Sequence, residues 1–292
     1  MEVNCEGCAG CCLDWRPLVD DPPDHERRGP WKPLDDVYNL VPLTRDDVDG
    51  FLEAGLADAL TPRLWSAPGD GVAIDGHDLA AIGKQPVFFL GLRKPPKPVA
   101  PFGGEPAWLP TCAFLDPETL QCRIHDAAVY PTECGVYPGH NLELDAETEC
   151  ERVEDAVGGD RLIEDTPPED LPDPLFGPQA IGYTVFVHPD PARLEGVVER
   201  VVGDGDARGA RPDEITAADR AEFVAAALAG SPGTTATNMD AFDDAYERAV
   251  AAESWVSGAI RAWTDLEGDR PDPGLGQQVE EARGAPGTPG WE

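Results

Sequence analysis

The sequence is very poor in lysine, and this scarcity limits what its surface can bind. Only four of the 292 residues are lysines, at positions 32, 84, 94 and 97, and 22 basic side chains stand against 56 acidic ones, which gives a formal net charge of −34. A nucleic-acid-binding surface needs a stripe of lysine or arginine to neutralise phosphates, and no such stripe is present. We therefore expect neither a nucleic acid nor a membrane surface as a partner.

Long apolar runs and familiar catalytic motifs are also missing. No segment approaches the ~20 consecutive apolar residues of a membrane-spanning helix. The first residues, Met1–Cys5, show neither the basic nor the apolar region of a secretory signal. There is no P-loop, no Gly-x-Ser-x-Gly motif and no dinucleotide-binding fingerprint. These absences favour a soluble, cytoplasmic protein and give no indication of an enzyme class.

The acidic side chains predict adaptation to concentrated salt. Aspartate outnumbers glutamate by 32 to 24, and short carboxylates hold water and counter-ions at a surface. At about 1 M salt the Debye length is only about 3 Å, so the charges are screened there, whereas at low ionic strength their repulsion opposes compaction. We therefore predict a halophilic protein of the kind found in salt-adapted archaea.

Hydrophobic periodicity predicts an α+β fold. Helices are expected where a capping residue opens an apolar helical period, and strands where short apolar runs are bounded by turn residues. The predicted helices lie at 44–60, 192–202, 217–229 and 241–263, and the predicted strands at 71–75, 86–90 and 181–188. A hairpin around Asp116–Thr119 is predicted to carry Cys112 and Cys122 on its arms.

The distribution of cysteine divides the chain into a chemical part and a helical part. All eight cysteines lie within the first 150 residues, and glycine and proline supply ten of the last 27 residues. Residues 1–155 are predicted to form an irregular cysteine-cluster domain with short strands and helices. Residues 156–265 are expected to form an α-rich C-terminal region, and 266–292 a disordered acidic tail.

The cysteines fall into two groups of four that suit metal binding. The first group has the spacing C-x2-C-x2-C-C and the second follows after 99 residues; the full set is Cys5, Cys8, Cys11, Cys12, Cys112, Cys122, Cys134 and Cys150. In a reducing cytosol such sets are more often metal ligands than disulfides, and a two-residue gap lets a tight turn aim two sulfurs at one metal. Closing the long intervening loop costs only about 0.6 kcal/mol more per doubling of its length, so the two groups can meet.

Eight thiolates match either two four-coordinate sites or one [4Fe–4S] cluster plus one zinc ion. Adjacent side chains diverge, so Cys11 and Cys12 are predicted to serve different metals unless one of them bridges. Disulfides and free thiols are the alternatives. His125 and His140 follow cysteines closely, and each would either donate a nitrogen to metal, hydrogen-bond to a ligand, or make ordinary hydrogen bonds.

Further motifs accompany the cysteines. Val41–Thr44 reads V-P-L-T, Cys112–Leu115 reads C-A-F-L, Cys122–His125 reads C-R-I-H and Cys134–Pro138 reads C-G-V-Y-P. Together with the N-terminal cysteine motif, they resemble the YkgJ-type cysteine-cluster family, described as zinc- or iron-chelating proteins, over about residues 1–155. The resemblance implies metal chelation and, through the related flagellin lysine N-methylase, iron–sulfur redox or protein-modification chemistry. The alternative is a zinc-folded module that docks a protein partner without catalysis.

Two positions depart from that family. Tyr130 stands before Pro131, and Gly135 follows Cys134, where the family usually has arginine. We therefore expect no anion-binding role at these two positions. Metal ligation by the cysteines does not depend on them.

The acidic composition generates the first testable prediction. Dilution from molar KCl into low-salt buffer at constant pH should unfold the protein, because the repulsion among its carboxylates is then no longer screened. Circular dichroism recorded along a KCl series measures this effect. A folded fraction that does not change with salt would contradict it.

Overall fold

The computed structural model describes residues 1–22, 31–202 and 215–288. The α-helices of these ranges are α1 (Arg45–Glu53), α2 (Thr132–Val136), α3 (Gly139–Glu143), α4 (Glu149–Val157), α5 (Val198–Val202), α6 (Ala217–Ala229), α7 (Met239–Ala251), α8 (Trp255–Leu266) and α9 (Pro273–Glu281). The strands are β1 (Glu2–Val3), β2 (Lys32–Pro33), β3 (Leu60–Ser66), β4 (Val72–Ile74), β5 (His77–Leu79), β6 (Ala81–Ile82), β7 (Gln85–Leu92), β8 (Pro96–Val99), β9 (Ala107–Pro110), β10 (Leu162–Glu164) and β11 (Phe186–Val187). The mixture confirms the predicted α+β class with C-terminal helices.

The chain folds into two compact units, each built from separate stretches of sequence. Within the described residues, the first unit takes in Met1–Glu26, Lys94–Pro174 and Gly258–Glu292, and the second takes in Arg27–Arg93 and Leu175–Ser257. The sequence predicted contiguous domains instead, since it was divided by cysteine content. Strand pairing explains the difference: β11 pairs with β7, about a hundred residues earlier in the chain.

An antiparallel sheet forms the core of the second unit. Its strands follow the order β11–β7–β3–β5–β4, with β2 paired to β3 and β6 paired to β7. Phe88 on β7 lies opposite both Leu64 and Phe186 in the ladder. The Phe88 ring also contacts Phe223 of α6, at 5.0 Å between ring centroids. All four side chains are buried, so they join the sheet to the helix.

Capping residues set the beginnings of the helices in the second unit. Thr44 and Thr216 each accept a hydrogen bond from a backbone N–H three residues later and complete a capping box. Helix α1 ends at Glu53, earlier than predicted, because Gly55 adopts a positive φ of 71°. Such a left-handed residue terminates a helix.

The long helix predicted at 241–263 is two helices, α7 and α8. The break falls at Ala252–Ser254, where the carboxylate of Asp58 accepts hydrogen bonds from the Ser254 N–H at 2.9 Å and from its hydroxyl at 2.7 Å. The N–H of Ser257 also donates to Asp58. Asp58 therefore satisfies the free N–H groups at the start of α8, a long-range cap that the local periodicity does not encode.

The first unit is held by two short antiparallel ladders and by helices. β1 pairs with β10, and β8 pairs with β9. The region expected to be a disordered tail contains α9, whose Glu280 is fully buried; its last four residues lie outside the described ranges. No helix in the described part of the chain is long and apolar enough to cross a membrane.

Asp219 provides a test of the second unit. Burial alone would raise its pKa, but hydrogen bonds from Arg200 and from Thr216 hold the pKa below its usual range. A carboxylate with a lowered folded-state pKa stabilises the fold above the unfolded-state pKa, about 3.9, and this contribution is lost as pH falls through the folded-state value.

We therefore expect Asp219→Asn to lower the free energy of unfolding by about 1 kcal/mol at pH 7. The deficit relative to wild type should shrink as pH falls below about 3.9, the unfolded-state pKa, and disappear once pH passes below the lowered folded-state pKa, where both proteins carry an uncharged side chain. Denaturant unfolding of both proteins at a series of pH values measures it. A deficit that is the same at pH 7 and pH 3 would show that the charge of Asp219 is not responsible.

Candidate metal centre

Seven of the eight cysteines line one cavity of the first unit. The cavity has a volume of about 930 Å³ and is partly open to solvent. The cysteines in its wall are Cys5, Cys8, Cys11, Cys12, Cys122, Cys134 and Cys150. The remaining one, Cys112, lies directly behind Cys12, since its N–H donates to the Cys12 carbonyl at 2.7 Å. All eight are free thiols. The fold thus brings together the two cysteine groups that are 99 residues apart in sequence.

Tight turns place the first group. The Cys8 N–H donates to the Cys5 carbonyl at 3.1 Å, and the Cys12 N–H donates to the Ala9 carbonyl at 2.8 Å. Gly7 and Ala9 have positive φ values of 65° and 53°. Glycine adopts this conformation at no steric cost, so Gly7 suits the turn that the C-x2-C spacing predicts.

The predicted hairpin places Cys112 and Cys122. Leu115 and Cys122 form an antiparallel bridge, and the Asp116 N–H donates to the Gln121 carbonyl at 2.9 Å. The Asp116 carboxylate accepts from two backbone N–H groups inside the turn. Such a side chain–backbone turn explains why Asp-Pro at this point predicts a reversal of the chain.

Two helices supply the last pair of cysteines. Cys134 lies on α2, and its carbonyl accepts a hydrogen bond from the Tyr130 hydroxyl at 3.2 Å. Cys150 lies in the first turn of α4, which Thr148 opens with a capping box. Neither of these helices is predicted from the sequence.

Burial keeps most of these thiols protonated. It raises the pKa of Cys5, Cys122 and Cys150 to about 12 in each case. Cys11 differs: its sulfur lies 3.8 Å from that of Cys12, and the contact lowers the pKa of Cys11 while raising that of Cys12. The shifts in pKa therefore favour the neutral thiol at seven of the cysteines, whereas the pKa of Cys11 is shifted toward the thiolate.

Three basic side chains lie against the cysteines. Arg161 donates from Nε to the Cys8 sulfur at 3.3 Å, and Lys94 donates to the Cys11 carbonyl at 3.2 Å. Lys97 is completely buried and donates to the carbonyls of Ala113 and Leu115, in the arm that follows Cys112. Two of the four lysines in this chain are therefore buried beside its cysteines. The scarcity of lysine in the rest of the chain singles out these two lysines, which are not among the site residues predicted from the sequence.

The two histidines near the cysteines differ in position. His125 lines the cavity, and its ring packs on Tyr130 with 4.9 Å between centroids. His140 uses both ring nitrogens, on the Glu133 carboxylate at 3.0 Å and on the Pro172 carbonyl at 2.8 Å. His140 therefore makes ordinary hydrogen bonds, whereas His125 faces the space that the thiols share.

The cavity wall also contains acidic and phenolic groups that the sequence did not single out. Glu149 is almost fully buried, and its carboxylate accepts from the indole N–H of Trp15. The Glu149 N–H donates in turn to the Tyr137 hydroxyl oxygen. Trp15 is fully buried.

The thiols share a space without forming a finished coordination site. Within the described residues, no three side chains of His, Cys, Asp or Glu are arranged so that they could hold a metal ion. The donor chemistry suits a soft metal, because the donors are cysteine sulfurs and none of them is in a disulfide. Coordination would therefore require the thiols to rotate toward one another within the cavity.

A buried ion network supports the second cysteine group. Lys97 pairs with Glu280 at 2.7 Å, and Arg123 pairs with Glu280 at 2.6 Å and with Asp116 at 2.7 Å. All four side chains are at most 1% exposed. The two positive and two negative charges balance. The ion pairs of Glu280 join α9 to both arms of the cysteine hairpin.

Comparison with known proteins places the chain in a family. The model of a family of unknown function, DUF7531, matches residues 1–292, so the chain belongs to that family. No curated protein and no solved structure matches it.

The ion network generates a stability prediction. Glu280→Gln should lower the free energy of unfolding by about 3 kcal/mol, because it leaves two buried cations with a single carboxylate. Denaturant unfolding in molar KCl measures the loss. Glu281→Gln, at an exposed position on the same helix, is the matched control and should unfold like wild type. Equal stability of the two variants would contradict the proposed importance of the network.

Proposed function

We propose that the protein binds either zinc or an iron–sulfur cluster through its eight cysteines. The observation that carries this proposal is the cavity lined by seven cysteines, none of them in a disulfide, with the backbone of the eighth hydrogen-bonded to that of Cys12. In a reducing cytoplasm, which the sequence analysis predicts, clustered thiols serve as metal ligands more often than they form disulfides.

The surroundings of the thiols support this proposal. A thiolate centre carries negative charge, which is costly in a buried site unless cations lie nearby. Lys94, Lys97 and Arg161 supply positive charge at three points around the cysteines. The chain has a net charge of −34 and only four lysines, so the burial of two lysines beside the cysteines is specific to this site.

The size and openness of the cavity bear on the kind of centre. Structural zinc sites are closed by four protein ligands and need little space, whereas iron–sulfur clusters are larger and also use cysteine thiolates. A cavity of about 930 Å³ accommodates either. Bound zinc would fix the loops that carry the cysteines, and a bound iron–sulfur cluster would supply one-electron redox chemistry. Both agree with the zinc- or iron-chelating chemistry of the YkgJ-type proteins whose motifs the sequence resembles.

The proposal is tested by elemental analysis of protein purified without oxygen. We expect either about two zinc ions per chain in colourless protein, or iron and sulfide with a broad visible absorption band. Thiol titration should find the cysteines unreactive until the metal is removed, and reactive afterwards.

One outcome would refute the proposal, and two histidine variants test which residues bind the metal. A protein that contains no metal, takes up neither zinc nor iron, and presents eight reactive thiols would refute the proposal. The variant His140→Ala is a control, because His140 already uses both ring nitrogens; it should keep the full metal content. The variant His125→Ala tests whether the histidine in the cavity wall is a ligand, and we expect it to keep its metal as well.

A further inference from the structure

The sulfurs of the adjacent residues Cys11 and Cys12 lie side by side in the wall of the cavity. They are 3.8 Å apart, at the distance of an S–H···S hydrogen bond. The sequence predicts that adjacent side chains diverge, whereas the structure brings these two together. A disulfide bond is about 2.05 Å long, so the two sulfurs need a further approach of less than ~2 Å to form one.

Hydrogen bonds hold the backbone of both residues. The Cys11 carbonyl accepts from Lys94 Nζ at 3.2 Å. The Cys12 N–H donates to the Ala9 carbonyl at 2.8 Å, and the Cys12 carbonyl accepts from the Cys112 N–H at 2.7 Å. The fold thus fixes the chain from which the two side chains project, and rotation about the side-chain bonds is the movement that would bring their sulfurs to bonding distance.

A small oxidant has access to the pair. Both residues are half-buried, and both line the cavity, which is partly open to solvent. The susceptibility of a cysteine to oxidation follows its exposure, among other factors. The cavity is therefore a route by which small molecules in solution reach these two sulfurs.

We propose that Cys11 and Cys12 form a site of reversible oxidation, at which a small disulfide converts the two thiols into a disulfide bond between adjacent residues. The thiolate of one cysteine attacks the small disulfide and releases a first small thiol. The thiolate of the other cysteine then attacks the resulting mixed disulfide and releases a second small thiol. The two cysteines lose two electrons and two protons, and the small disulfide takes up both to become two thiols.

Strain makes this bond easy to reduce again. Disulfides usually join residues whose Cα atoms are about 4.4 to 6.8 Å apart, whereas consecutive Cα atoms are only about 3.8 Å apart. Such a departure stores strain, and strained disulfides are the labile, regulatory ones. In a reducing cytoplasm the disulfides that do form are mostly transient. The pair is therefore a redox-sensitive switch and not a structural crosslink.

Oxidation of this pair does not depend on the proposed function, but it would compete with it. A disulfide between Cys11 and Cys12 removes two of the eight sulfurs from the donors available to a metal, because the ligand is the thiolate. A bound metal would in turn keep the same sulfurs from the oxidant. The redox state of the surroundings would thus control how much metal the cysteines hold.

Oxidised glutathione tests the proposal on wild type that has been reduced and freed of metal by a chelator. The remaining thiols are alkylated after acid quenching, and mass spectrometry locates the lost hydrogen atoms. We expect the Cys11–Cys12 disulfide to form before any other pairing, with Cys5 and Cys8 alkylated, and reduced glutathione to reverse it. Protein that stays reduced at this pair, or that first joins Cys11 or Cys12 to another cysteine, would overturn the proposal.

Controls separate the role of the fold from that of adjacency in the sequence. In Cys12→Ser, glutathione should accumulate on Cys11, whereas the matched control Cys5→Ser should form the disulfide as wild type does. In concentrated urea the pairings of wild type should scatter, because strain disfavours the adjacent pair once the fold no longer holds it. Equal selectivity in urea would overturn the proposal that the fold prepares this pair.

The outcome is distinct from that of the metal-binding test. Protein that takes up no zinc yet forms this disulfide would refute the proposed function alone. Protein that binds zinc yet leaves the pair reduced when metal-free would refute the switch alone. If both proposals hold, zinc-loaded protein should resist oxidised glutathione.

Discussion

Bringing eight thiols together around one cavity is the constraint on which the first unit depends. Burial holds the thiols neutral, while any bound metal would require most of them to lose a proton in a chain that is already strongly acidic. Basic side chains must then lie inside the protein, where solvent cannot replace them. Lys94 and Lys97 do so, and Arg161, which is half-buried, donates to the Cys8 sulfur.

The buried ion network shows how that positive charge is kept in place. An unpaired lysine would be expelled toward water, so Lys97 needs partners, and it has two carbonyls and Glu280. Glu280 comes from the last described helix of the chain, which makes the C-terminal segment part of the support of the cysteine hairpin. Replacing such a network by apolar residues is often neutral for stability. On the proposed function, its value lies in fixing the two arms that carry Cys112 and Cys122.

Local signals in the sequence predicted local structure well. The capping boxes at Thr44 and Thr216, the strand around Phe88 and the turn at Asp116 depend on neighbouring residues, and the structure has each of them. The grouping of the cysteines was also visible from their spacing.

What the sequence did not reveal depends on distant partners. The break between α7 and α8 is made by Asp58, nearly two hundred residues away. The order in α9 likewise depends on Lys97 and Arg123, because a segment rich in glycine and proline has little helical tendency of its own. The discontinuous units follow from strand pairings that composition cannot report. Periodicity and composition describe each segment alone, so they cannot predict contacts between charged residues that are far apart in the sequence.

On the proposed function, the surface and the cavity of this protein would select different ions. The 56 carboxylates offer hard oxygen ligands, which suit potassium, magnesium and calcium, whereas the cysteines offer soft sulfur ligands, which suit zinc and iron–sulfur clusters. Concentrated salt screens the carboxylates but does not compete for sulfur. A protein with this composition would hold many hard cations loosely at its surface while, on the proposed function, its cysteines bind a soft metal tightly. The large negative charge and the cysteine cluster are then compatible, because ligand softness separates the two ion populations.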